Sequence, residues 1–417
     1  MIKADIAMFI KEYALYFLVF ISLVFMSPPS NFFYSDMECW KDWITIISTN
    51  GISAAYDNGA NYMPLFMYFL YGLGKIFGNL ERFFVELYIF KGVILFFDFI
   101  TVLFFVQTLF RNRDRTKYFI ALFLNVSLLF NTYLWGQVDS VYTFFAILAV
   151  YFICKNKPIW AFLFLIISIN LKLQGIIFVP LVVLVWLNSY KDKAFYKKSL
   201  QAFLVVILFQ VLIVLPFILH DTFNKVIDTV LQSSGYYPAV SMNAFNIWMF
   251  FFPSKNNLEL MHVSNAIPFL GITYKSWGLL LFFISSFIVL LPIFLSIFKK
   301  NKIAKILSFE ICLLMAILLS LNFFYFNTEM HERYVHPAVV IGLAYTLLRR
   351  DYLLFFLVSI SYTLNLEKCL HYLALKNYNT LVFDHRFIAV LWSIVMIKFY
   401  IIFYKELKNS SLSKTIQ

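Results

Sequence analysis

Two acids, two histidines and an arginine crowd into Glu329-Met330-His331-Glu332-Arg333-Tyr334-Val335-His336, in a chain of which only 13% is charged. Solvation of a surface loop does not require that density. His331 and Arg333 offer planar N–H donors that match the oxygens of a phosphate. The spacing is not that of a histidine zinc site, because the residue four after His331 is Val335. Three other stretches carry polar side chains in apolar surroundings. Asp36-Met37-Glu38-Cys39-Trp40-Lys41-Asp42-Trp43 puts an acid four residues from an indole, on one face if the stretch is helical. An acid held against indole above a membrane is partly desolvated, which suits a general base. The same pattern describes an interfacial helix anchored by Trp40 and Trp43, with Asp36 as its cap. Trp135-Gly136-Gln137-Val138-Asp139-Ser140 holds a turn glycine and two candidate helix caps. Capping accounts for Asp139, and less well for Trp135 and Gln137. Asn170-Leu171-Lys172-Leu173-Gln174 sets a lysine inside an apolar run. A lysine at membrane depth snorkels, pairs or serves a function, and the functional form here is an anionic ligand at the membrane surface.

The elements that position these residues must be membrane helices. The chain has 417 residues, 62% of them hydrophobic, including 52 Phe, and its mean hydropathy is +0.80. A soluble domain averages roughly 45–50% apolar and about 25% charged residues. The net charge of +12 sits in short loops between apolar runs, which fits membrane topology and argues against a nucleic-acid partner. The four cysteines show no metal-ligand spacing. Cys154 and Cys312 fall in or beside apolar runs as packing residues, while Cys39 and Cys369 share a side and leave a disulfide open. The first apolar run is followed by Ser27-Pro28-Pro29-Ser30, a proline pair where cleavage would fall, which predicts a retained first helix.

Runs long enough for lipid recur to the end and predict about twelve spans in one domain, 1–417. They cover 13–26, 83–109, 118–133, 140–154, 159–171, 175–187, 200–219, 277–298, 306–324, 335–348, 352–366 and 387–404, the fifth and sixth being short enough to be tilted or re-entrant. Alternate connections are short and basic: 111–117, 155–157, 191–198, 299–305, 349–350 and the tail with Lys405 and Lys408. That alternation predicts both termini in the cytoplasm. The outer connections include a first loop at 29–82 and a long one at 220–276. The apolar run 62–77 would reverse the alternation if it crossed, so it is placed at the interface. All six histidines fall on the outer side, with the four polar stretches. Chemistry on one face favours a surface-located active site over a path through the bilayer, which calls for ionisable groups at depth and related halves. Apart from Asp98, little of either is visible.

At these residues the chain resembles the GT-C superfamily of membrane glycosyltransferases that use polyprenyl-phosphate sugars. The likeness is to a large bacterial group and, more remotely, to the dolichyl-phosphate-glucose-dependent glucosyltransferases of asparagine-linked glycosylation. In the latter an acidic first-loop motif reads roughly D-Y-E-A-Q-R-H-W. The stretch from Asp36 to Trp43 keeps its first Asp, its Glu and its final Trp. Tyr62-Met63-Pro64-Leu65 resembles the Y-P-P-L segment that follows. The strings W-G-Q-x-D-S, K-L-Q and M-H-E-R-Y, and Ser241-Met242-Asn243-Ala244-Phe245-Asn246, are similar to the bacterial group. The likeness spans roughly residues 10 to 345.

The resemblance implies an all-α polytopic bundle with interfacial helices in the first outer loop. It implies inverting transfer of a hexose, glucose or mannose, from a polyprenyl-phosphate donor to a glycan, lipid or protein acceptor outside a bacterial cytoplasmic membrane. Asp36 would be the base. The donor already carries a good leaving group, so the remaining need is cations for the departing phosphate; Lys172, His331 and Arg333 would supply them. Glu38, Trp135, Gln137, Asp139, Gln174, Glu332 and Asn243 are further candidate substrate contacts. Asp36 and Glu38 form D-x-E rather than the D-x-D of metal-binding oligosaccharyltransferases, so no divalent metal is expected. A flippase or transporter for a lipid-linked saccharide, and a non-catalytic assembly subunit, are the alternatives.

Overall fold

The computed structural model describes residues 2–27, 34–78, 83–190, 192–233, 235–252, 261–298 and 308–412. The proline pair Pro28-Pro29, Lys191, the basic connection 299–305 and the start of the expected run 306–324 lie outside them. The described chain is helical apart from a two-stranded hairpin of Pro268–Phe269 with Ile272–Thr273. Its helices are α1 Ile2–Phe25, α2 Tyr34–Asn50, α3 Pro64–Phe77, α4 Leu87–Leu109, α5 Arg115–Phe123, α6 Val126–Leu129, α7 Asp139–Cys154, α8 Pro158–Leu171, α9 Val179–Leu187, α10 Phe195–Leu219 and α11 Phe223–Gln232. After the long loop follow α12 Tyr274–Phe298, α13 Phe309–Phe326, α14 His336–Arg349, α15 Tyr352–Leu370 and α16 His385–Leu412.

Six of these, α4, α10, α12, α13, α15 and α16, are long and apolar enough to cross a membrane, and the bent pair formed by α5 and Val126–Leu134 would make seven. The chain is a helical bundle with the composition of a membrane-embedded protein. Its solvation pattern agrees: Phe203, Leu208 and Leu212 on α10 and Phe283 and Phe287 on α12 point outward, a face that lipid solvates and water does not. α13 is the centre of the bundle, buried from Ile311 to Asn322 and packed on α7, α12, α14 and α16. The expected run 118–133 is not one straight helix. α5 ends at Phe123, Asn125 caps the start of α6 by accepting from Ser127 N at 3.0 Å, and the two parts are bent by 42°.

The run 62–77 forms α3, which lies against α2. Their approach is close: a Cβ on Gly74 would stand 2.5 Å from Ser48 Oγ. α4 then sets the two ends of the molecule. Near its start Phe90 stacks on Trp40 of α2, and at its end Phe110 stacks on Tyr118 of α5. Its 23 residues separate these ends by about 33 Å at 1.5 Å per residue. The basic connections meet at the second end: Arg115 pairs with Glu12, Arg113 donates to Leu347 O, and Arg349 pairs with Glu406. The four polar stretches meet at the first.

Candidate active site

α2 is pinned by its apolar face. Trp40, Ile44 and Ile47 are buried against α3 and α4, which turns Asp36, in the first turn, toward a cavity of about 770 Å³. Glu38, two residues on and so about 200° around the helix, is exposed and outside the cavity wall. Gln137 is fully buried and donates from Nε2 to Asp36 Oδ2 at 2.7 Å. Its aim is set by the backbone before it. Phe130–Leu134 is a single wide π-type turn closed by Trp135 N on Phe130 O at 3.0 Å. Lys91 of α4 donates to Leu134 O at 2.9 Å. Gly136 has φ +80°, and a Cβ there would stand 2.6 Å from Met37 Cε, so α2 and this turn are in direct contact.

Arg333 is the hub. Its Nη1 donates to Glu332 Oε1 at 2.9 Å, its Nη2 lies 3.9 Å from Asp36 Oδ2, and its Nε lies 3.8 Å from Asp139 Oδ2. Its guanidinium sits 5.1 Å over the Trp135 ring, where the π face favours a cation. Lys172 follows α8 in extended backbone and donates to Asp139 Oδ1 at 2.5 Å. Its Nζ also lies 5.0 Å from the Tyr334 ring centre and 5.8 Å from that of Tyr62. The expected capping role of Asp139 is therefore corrected: the N-cap of α7 is Val138, and the Asp139 carboxylate turns to Lys172. Neither cation snorkels; Lys172 is 5% and Arg333 8% exposed.

Three carboxylates (Asp36, Asp139, Glu332) and two cations thus share one site, with a formal charge of −1. Burial pushes the Glu332 carboxyl above the ordinary carboxylate range, against the opposing pull of Arg333. Burial, helped by Arg333 and Lys172, holds His331 well below the ordinary imidazole value, so it is neutral at pH 7. Its ring packs 4.8 Å from Tyr237 and 5.0 Å from Tyr334, with Nδ1 3.9 Å from Glu332 Oε2. Arg333 stays charged: burial opposes its protonation, but Asp36 and Glu332 more than restore it.

Asp36, Lys172, Gln174, His331 and Arg333 line the cavity; Trp135, Gln137, Asp139 and Glu332 form the layer behind them. Asn243 is elsewhere. Its carbonyl accepts from Asn365 Nδ2 at 2.8 Å and its amide reaches Cys369 Sγ at 3.4 Å, while its main chain bridges that of His331. It ties the long loop to α15. Cys39 and Cys369 are free thiols, one at the cavity and the other beside Asn243. The remaining histidine of the motif, His336, is buried at the start of α14, 3.3 Å from Asn131 Nδ2.

Several lining residues were not anticipated from sequence. Lys225 pairs with Asp57 at 2.6 Å and Lys275 with Glu329 at 3.0 Å at the cavity rim. Glu329 also accepts from Gly235 N and Asn265 Nδ2, which fastens the long loop to the histidine motif. The signal for Lys225 was a helical polar stripe in the loop 220–276; Lys91, which braces the turn behind the cavity through Leu134 O, stood out as a lysine inside the apolar run 83–109. The chain matches no protein-family model and no curated protein.

Proposed function

We propose that the chain is a membrane glycosyltransferase that moves a hexose from a polyprenyl-phosphate donor to a hydroxyl-bearing acceptor, with Asp36 as the base. The observation that carries this reading is the meeting of Asp36, Lys172, His331 and Arg333 in one cavity, from stretches more than a hundred residues apart. That cavity also has an apolar flank of Ile176, Leu279 and Phe323, suited to the lipid end of such a donor.

In the reaction the acceptor oxygen attacks the anomeric carbon from the face opposite the phosphate. The new C–O bond forms, the old C–O bond to phosphate breaks, and the sugar inverts. Asp36 takes the acceptor proton, and Gln137, donating to the same carboxylate, fixes its direction. The departing phosphate gains negative charge and accepts N–H donors of Arg333 and Lys172 left over from their carboxylate partners; neutral His331 donates one more. A partly dry site strengthens each contact. The reading needs no divalent metal. In it about twelve segments span the bilayer, the short helices α7, α8 and α9 crossing together with their neighbours. The basic end faces the cytoplasm with both termini, and the cavity opens outside a bacterial cytoplasmic membrane.

A transport reading has one supporting observation, the burial of Lys91 and Asp98 on α4, since ionisable groups within apolar helices mark transport paths. Purified protein incubated with polyprenyl-phosphate-glucose and polyprenyl-phosphate-mannose separates the two. Transfer releases polyprenyl phosphate; a flippase moves the intact lipid across reconstituted vesicles and releases none. Absence of release with both donors contradicts the proposal.

A further inference from the structure

α11 is an amphipathic helix of ten residues placed on the rim of the cavity. Phe223 and Val226 pack on the cluster formed by α2, α3 and α4. Thr222, just before it, donates to Ser53 O at 3.0 Å, and Lys225 pairs with Asp57 at 2.6 Å. Its other apolar residues, Ile227, Val230 and Leu231, are exposed, Leu231 by 71%. Its polar residues Lys225, Asp228, Thr229 and Gln232 recur at i, i+3, i+4 and i+7, which is one helix face, and all four line the cavity. A helix with an exposed apolar stripe belongs at a lipid interface. The polar stripe then looks into the same cavity as Asp36.

The chemistry of that stripe and its surroundings selects a ligand. Four acids and four bases line the cavity, and the rim lysines are each matched, Lys225 by Asp57 and Lys275 by Glu329. With both of these lysines already paired, the rim does not favour an anionic ligand. It offers the neutral amides and hydroxyl of Asn58, Asn61, Gln232 and Thr229, next to the aromatic rings of Tyr236 and Trp43. Amide groups that both donate and accept, beside aromatic surface, match a neutral polyhydroxyl group. We propose that the polar stripe of α11 is a saccharide-binding wall, and that the sugar held there is the acceptor. The second half rests on the glycosyl-transfer reading; the first half does not.

The test uses Thr229→Val and Gln232→Leu, which remove hydrogen bonds from an exposed helix face and preserve its shape, with Leu231→Ala on the opposite stripe as the control. Equilibrium binding of octyl β-glucoside, octyl α-mannoside and octyl phosphate is measured on full-length protein in lipid nanodiscs free of sugar detergents. The expected result is that one or both hexosides bind, that each polar-stripe variant weakens this by about tenfold, and that the control binds as the parent does. Failure of the parent to bind either hexoside, or equal binding by parent and variants, overturns the proposal. So does dependence of octyl phosphate binding, but not hexoside binding, on the stripe. In the transfer assay, the wall predicts a raised KM for acceptor with donor KM and kcat unchanged. Hexoside binding that depends on α11 in a protein that releases no polyprenyl phosphate would refute glycosyl transfer and leave the wall standing. Transfer with unaltered acceptor KM in the variants would do the reverse.

Discussion

Lys172→Met leaves the Asp139 carboxylate buried without its closest partner, and Asp139→Leu does the same to the Lys172 ammonium. The side chains are 6% and 0% exposed and 2.5 Å apart, so each charge loses most of its compensation when its partner is removed. Breaking a buried pair of this kind costs about 3–5 kcal/mol, whereas replacing both members with apolar groups is close to neutral. Arg333 lies 3.8 Å from Asp139 but keeps Glu332 at 2.9 Å in the double variant, so it is not left alone. The two single variants should therefore each lose about 3–5 kcal/mol, and the double variant should recover most of it, a coupling of about 3 kcal/mol or more. Thermal unfolding of the four proteins in one detergent measures this, and donor turnover on the folded double variant measures function. The double variant should fold like the parent and use donor poorly, because the phosphate has lost a cation. Additive losses would refute the buried pair. A stable double variant with parental turnover would show the pair to be structural and remove Lys172 from the phosphate site.

Burial raises the Glu332 carboxyl, and a phosphate on Arg333 would raise it further. Donor binding should therefore take up a proton and tighten as pH falls; Glu332→Gln should flatten that slope in a donor-affinity series against pH. Gly136→Ala should cost about 1–2 kcal/mol from the left-handed backbone at φ +80°. Met37→Ala should not restore it, because the Met37 methyl can move aside and the backbone strain cannot; thermal unfolding of the single and double variants checks this. Cysteines placed at Lys193 and His331 should label from opposite sides of sealed vesicles, and labelling from one side would overturn the proposed orientation.

The apolar runs were legible because burial in lipid demands length and little charge, and the runs behind α4, α10, α12 and α16 lie close to where they were expected. The four polar stretches were legible as exceptions to that composition, and they do converge. Their pairings were not. Lys172 with Asp139 and Arg333 with Asp36 join residues far apart in sequence, and local spacing says nothing about which carboxylate a buried cation will find. Asp139 was expected to cap a helix because capping is the local use of an acid at that position; a buried lysine across the site competed for it and prevailed. Asn243 was grouped with the site by its motif, but its side chain serves the packing of a loop on α15. Asn125, a strong capping residue inside the run 118–133, was the available sign that this run is broken. α11 carried its amphipathic period in the open, within a loop taken as a connection.

In the proposed reaction Asp36 removes the acceptor proton. Asp36→Asn keeps an oxygen to accept from Gln137 and removes the charge that faces Arg333 at 3.9 Å, so donor binding should survive. The direct measurement is polyprenyl phosphate release by Asp36→Asn and parent at saturating donor, normalised to folded protein. A rate lower by at least about a hundredfold, with donor affinity retained, is the predicted result; release at the parental rate would exclude Asp36 as the base.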